Sequence, residues 1–168
     1  VLFRSDKAPD LSAQAARGAA REAQEAREAA EDARKDATLL AALQARSEAL
    51  PGSPAAAYLQ QRGITALPRS WSYLPPVPGL GVMGADRAAL VAWATDDQGR
   101  VKGGQRILIL PDGSKAPDEV RKPAFAKIGG YPARIPATIE GGPLVVCEGP
   151  ETAASIAQAT GFEVWAVF

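Results

Sequence analysis

One carboxylate in this sequence stands where chemistry is often done. The apolar run Leu144–Cys147 ends in Glu148, followed by Gly149, Pro150 and a second acid, Glu151. A strand that ends in an acid and turns at once into a helix sets that acid beside exposed helix N–H groups. Such a carboxylate can take a proton from a hydroxyl or act beside a metal-bound phosphate. Gly149 permits a tight turn or the close approach of a ligand, and Pro150 suits the first helical position. The plainer reading is a carboxylate favoured by the helix dipole, a contribution of about 0.3–1 kcal/mol. Position alone leaves both readings open.

A second set of residues carries charge rather than reactivity. Arg100, Lys102, Arg106, Lys115, Arg121, Lys122, Lys127 and Arg134 fall in one stretch with only Asp112, Asp118 and Glu119 to offset them. From Ile135 onward there are four acids and no base. A basic segment ahead of an acidic one points to a phosphate-facing surface beside an acid site. Lys102, Arg106, Arg121 and Lys122 are the expected nucleic-acid contacts, against the alternative of an ordinary solvated strand face. Trp71, Trp93 and Trp165 have the rings for base stacking, but Trp93 and Trp165 lie in apolar strands and are expected in the core.

Several chemistries are excluded within these residues. There is no histidine, so imidazole acid–base catalysis and His-ligated metals are ruled out here. The single cysteine, Cys147, forms no disulfide within the chain and no Cys-rich zinc site. Inside an apolar strand it is expected to be inert. Net charge is zero, so no global attraction to a polyanion follows. No apolar run approaches the ~18 residues a spanning helix needs. A cytoplasmic protein without a membrane partner is expected.

The elements that must position these residues are legible from spacing. Residues 12–48 read as one helix, rich in Ala, Glu, Arg and Gln, with Asp10 or Ser12 as its cap. Alanines at 16, 19, 23, 26, 30, 33 and 37 form a heptad-like seam. Arg21–Glu25, Arg27–Glu31 and Glu31–Lys35 have ion-pair spacing. Ser53 and Pro54 open a second helix that Gly63 stops. A proline-rich stretch holding Trp71 and Tyr73 reads as irregular. Residues 89–95 and 100–110 read as a strand pair around the turn 96–99. Residues 144–147, 151–160 and 163–168 read as strand, helix, strand, a right-handed βαβ unit with parallel strands. The expected organisation is an alanine-rich helix over 1–50, an α+β region over 53–140, and the start of another domain over 141–168.

Residues 144–168 resemble the opening of a Toprim domain, in the version found in phage- and plasmid-type primases and primase–helicases. That version has a strand ending in Glu-Gly, a Glu-Thr-Ala helix, a glycine and a Trp-Ala strand. Upstream, SPAAAYLQQRGI (53–64), LVAWATDDQGRVKGGQRILILPDGSKAP (90–117) and RKPAFAKIGGYPARI (121–135) resemble the same group. The alanine-rich helix lies outside the resemblance. It implies an α/β fold: an α+β region leading into the first βαβ of a Rossmann-like parallel sheet. It implies that Glu148 is the general acid or base of nucleotidyl transfer, with Gly149 and Glu151 beside phosphate or metal. It implies Mg²⁺, held by a later Asp-x-Asp pair expected beyond Phe168. The chain, which starts at Val1 and ends within an apolar run, is thus expected to be part of a primase-like DNA replication protein that lacks this metal-holding half. Single-stranded DNA, nucleoside triphosphates and a helicase domain are the implied partners. Cellular primases carry an acid where Thr152 stands; the phage-like group shares this departure. The alternatives are a non-catalytic single-strand-binding or helicase-loading module, a Toprim nuclease or topoisomerase, and an unrelated α/β ligand domain.

Overall fold

The computed structural model describes residues 11–76, 87–117, 124–126 and 128–168. The chain divides into two compact units, after Ala37. Helix α1 (Leu11–Arg46) runs through the division. Within the first unit the seam alanines from Ala16 to Ala37 are all exposed. This stretch therefore rests on helix propensity and surface pairs rather than on burial. Arg21–Glu25 at 2.7 Å and Lys35–Glu31 at 2.8 Å are two such pairs.

The second unit begins with the last turns of α1, where Leu40 and Leu43 are buried. Helix α2 (Pro54–Gln60) follows, and Ser53 caps it by accepting from the Ala56 N–H. Seven strands come next, among the described residues: β1 (Trp71–Leu74), β2 (Ala88–Thr95), β3 (Val101–Ile109), β4 (Ala124–Phe125), β5 (Ala133–Ile135), β6 (Val145–Glu148) and β7 (Val164–Val167). Helix α3 (Pro150–Thr160) joins the last two. They make one mixed sheet in the order β4-β3-β2-β5-β7-β6, with β1 beside β2. Only β6 and β7 are parallel, as the βαβ spacing predicts. The sheet runs without interruption through residue 140, because β5 pairs with β7.

The proline-rich stretch differs from its expected irregular form. Trp71–Leu74, between Pro68 and Pro75, is a true strand paired antiparallel to β2. Four residues free of proline suffice for an outer strand, and the prolines confine it rather than forbid it. Among the described residues, its far side meets the bridge to Glu48. The register of β2 against β3 shifts at Ala94/Thr95, and β5 takes up the β2 edge there through Ala94↔Ala133. A bulge that bends a strand lets two partners share one edge.

Alternation sorts the core into two layers. Leu90, Ala92, Ile107, Ile109, Val164 and Ala166 join Tyr58 and Leu59 of α2 and Ala153 and Ala154 of α3. Ala89, Val91, Trp93, Leu108 and Phe125 join Leu40 and Leu43 at the end of α1. Trp93 meets Phe125 edge-on, with centroids 5.7 Å apart. Gly104 makes this possible, since a Cβ there would lie 2.9 Å from the Phe125 ring and 2.7 Å from the Ala92 carbonyl oxygen. Trp93 is buried as expected; Trp165 is only partly so.

Candidate active site at the end of the parallel strands

Glu148 is the last residue of β6, in register with Val167 of β7. The next residue leaves the strand sharply. Gly149 has φ 80° and ψ 146°, a conformation that essentially only glycine adopts, and its N–H donates to the Val167 carbonyl at 3.2 Å. Pro150 then starts α3 and is buried. No side chain caps this helix start, which leaves its first turn turned toward the acids. Gly161, left-handed at φ 70°, ends α3 as the sequence predicts.

A cleft of about 460 Å³ opens at this turn. It is lined by Glu148, Gly149, Glu151 and Thr152, by Val167 and Phe168, and by Gln105 of β3. Its size is that of a small-ligand site, in a range of roughly 300–1,000 Å³. Glu148 is exposed at its mouth and Glu151 is half-buried. The Tyr58 hydroxyl, from α2, donates to Glu151 Oε1 at 2.8 Å. Burial, and then the negative charge of Glu151, push the Tyr58 phenol far above its ordinary value, so it stays a donor. The Arg62 guanidinium lies 3.8 Å over the Tyr58 ring.

Helix α3 is also fixed from its far end. Gln158 Oε1 accepts from the Thr65 N–H at 2.6 Å and the Ala66 N–H at 2.8 Å, while its Nε2 donates to the Gly63 carbonyl at 2.8 Å. The turn after α2 thus holds one end of α3, and Tyr58 holds the other.

The structure brings Glu148, Gly149 and Glu151 together but does not add Lys102 or Arg106 to them. Lys102, near the start of β3, reaches the β2–β3 turn: its Nζ is 3.6 Å from Asp96 Oδ2 and 5.7 Å from the Tyr131 ring centroid. Asp96 is the hub of that turn. It accepts from the Gln98 and Arg100 N–H groups and pairs with the Arg100 guanidinium at 2.8 Å. Burial pushes the Asp96 carboxyl up, but the hydrogen bonds and charge of Arg100 outweigh it and hold the group below its usual range. Arg134 donates to the Asp96 carbonyl and lies 4.6 Å over the Trp165 ring.

Arg106 requires a correction. It is only 2 % exposed and faces the layer of Val91, Leu108 and Phe125, with its guanidinium 5.6 Å from the Phe125 ring centroid. A phosphate backbone cannot reach it there. Burial draws its guanidinium below its ordinary value, and its Nε and Nη1 have no hydrogen-bond partner. Arg121 and Lys122 lie outside the described residues.

Among the described residues, no three His, Cys, Asp or Glu side chains gather to hold a metal ion. The oxygen-bearing side chains among the cleft's lining residues are those of Glu148, Glu151, Thr152 and Gln105. Gln105 Oε1 is buried with no hydrogen-bond partner. Hard oxygen donors of this kind fit Mg²⁺ or its bound water, though as a partial set. Burial pushes the Cys147 thiol up, in keeping with an unreactive strand cysteine. Sequence reasoning missed Gln105 and Tyr58. Gln105 had left a trace, as a polar residue in phase with Ile107 and Ile109.

The fold and cleft together define a mixed α/β protein with an acidic turn at the end of the parallel β6–β7 pair. The chain belongs to the DUF7146 family, a domain of unknown function, whose model matches residues 33–135. That match runs from α1 through β5 and stops short of the Glu148 turn. No curated protein and no solved structure matches the chain. No helix among the described residues is long and apolar enough to cross a membrane.

Proposed function

We propose that this chain is part of a primase-like DNA replication protein, with Glu148 the general acid–base of nucleotidyl transfer on a single-stranded DNA template. The observation that carries this reading is the Glu148 turn: a carboxylate at the end of a parallel strand, at the mouth of a cleft sized for a nucleotide, beside an uncapped helix start. Ligands of parallel α/β sheets bind at that end of the strands. The resemblance of residues 53–168 to Toprim primases supplies the reaction class.

In this reading the Glu148 carboxylate takes the proton of the attacking sugar hydroxyl. The first turn of α3 orients phosphate through its N–H groups and dipole. Tyr58 holds Glu151 in one rotamer by hydrogen bonding, so the second carboxylate presents a fixed face to the cleft. Mg²⁺, when bound, would neutralise phosphate charge; Glu148 and Glu151 are the residues of this chain that would hold it or its water. The partners are single-stranded DNA, nucleoside triphosphates and a replicative helicase domain.

The test is Glu148→Gln in the intact gene product. Primer synthesis should fall by a factor on the order of 10²–10⁴, with affinity for single-stranded DNA unchanged. Synthesis at the wild-type rate would make Glu148 structural. Intact single-strand binding in a protein that never synthesises primers would favour the binding or helicase-loading module instead.

A further inference from the structure

Strand β4 covers a charge that has no hydrogen-bonding partner. Arg106 projects from β3 and is 2 % exposed. Phe125 of β4 lies against it, with the ring centroid 5.6 Å from the guanidinium carbon. Arg106 Nε and Nη1 are buried and make no hydrogen bond. A cation–π contact replaces only part of the water that a buried guanidinium gives up. Lifting the cover would restore that water, so the closed form carries a cost that an open form does not.

The cover itself is slight. β4 is two residues long and ends the strand order, joined to β3 through Gly104↔Phe125 and Gln105↔Ala124. Ala126, the next residue, has φ 56°, a left-handed conformation that costs a residue with a Cβ. Its seat is nonetheless specific. A Cβ at Gly103 would lie 2.5 Å from Ile128 Cγ2 and 2.6 Å from the Phe125 carbonyl oxygen, and one at Gly104 would lie 2.9 Å from the Phe125 ring. Glycine inside a strand weakens it and marks the close approach of another backbone. Strand β3 is thus shaped to receive a segment that is short, strained at its end and laid over an unpaired cation.

We propose that β4 is a releasable strap, which shields Arg106 when closed and bares its guanidinium to an oxyanion when released. Rehydration of Arg106 and relaxation of Ala126 favour release. The edge-on packing of Phe125 on Trp93 opposes it. The buried guanidinium can pair with an oxyanion only in the open form, so such an anion draws the population toward that form.

Hydrogen exchange of the full chain tests this, on peptides covering 103–106 and 124–126, with inorganic phosphate against chloride at matched ionic strength. In wild type, phosphate should speed exchange of both peptides severalfold and leave β2 unchanged. Arg106→Met keeps an unbranched side chain and removes the charge. It should slow exchange of both peptides roughly tenfold in chloride and abolish the phosphate effect. Ala126→Gly is the second variant, informative even where Arg106→Met does not fold. It should slow exchange about threefold, the left-handed cost less the extra freedom of a glycine, and keep the phosphate effect. Exchange in chloride that is unchanged or faster in Arg106→Met, or in Ala126→Gly where the first does not fold, would overturn the strap. A phosphate effect absent from wild type, or of equal size in Arg106→Met, would overturn it as well.

Discussion

The β2–β3 hairpin and the β6–β7 pair belong to one sheet but are built differently. Seven of the eight residues of β2 are buried, with helices on both faces. The parallel pair is covered on one face by α3, while Val146 is 57 % and Val167 42 % exposed on the other. The hairpin supplies the rigid floor. The parallel pair, anchored through α3, supplies the acid turn. Burial and the acid turn are thus concentrated in different strands, and Gln105 is the hairpin residue that lines the cleft.

The contrast can be broken most directly by truncation. Leu90→Ala, in the hairpin, should cost about 2–5 kcal/mol, whereas Val146→Ala should stay within ~0.5 kcal/mol. Urea unfolding of both variants measures this, and equal losses would show that the hairpin is not the dominant core. Next in size is Gly104→Ala. Its Cβ would press on Phe125 and on the β2 backbone, and the expected loss is about 1–3 kcal/mol. A neutral result would mean that β4 is free to shift. Tyr58→Phe removes the bond to Glu151. It should cost about 1 kcal/mol of stability and, under the proposed primase function, lower primer synthesis without changing single-strand affinity. Unchanged synthesis would show that Glu151 needs no such support.

The smallest effect is in acid. Asp96 has its carboxyl held below the usual range, so its contribution is present above the ordinary carboxylate pKa and is lost as pH falls through the lowered folded value. Unfolding midpoints measured from pH 6 down to pH 2 should therefore slope less in Asp96→Asn than in wild type, and parallel slopes would remove Asp96 from the account.

Much of the fold was legible because its signals are local. The Ser53–Pro54 start, the turn 96–99, the Gly161 stop and the βαβ order all follow from neighbouring residues, and all are present. The Trp71–Leu74 strand was hidden by the prolines around it, whose composition outweighed a four-residue pairing. The acid turn was legible, but the rest of the cleft was not. Gln105 and Glu148 are brought together by pairing across five strands, which no local pattern encodes. Arg106 was misassigned by counting cations along the chain. Strand alternation places it in phase with Leu108, and that phase decides which layer it enters.

The stitching of α3 has a consequence for how such a chain can be inherited. Tyr58 and Gln105 lie within residues 33–135, while Glu148, Glu151 and Gln158 lie beyond them. A recombination event after Ile135 would part Glu151 from Tyr58, and Gln158 from its partners at residues 63, 65 and 66. The two segments are separable on paper, yet each carries only half of the contacts that hold α3 in place.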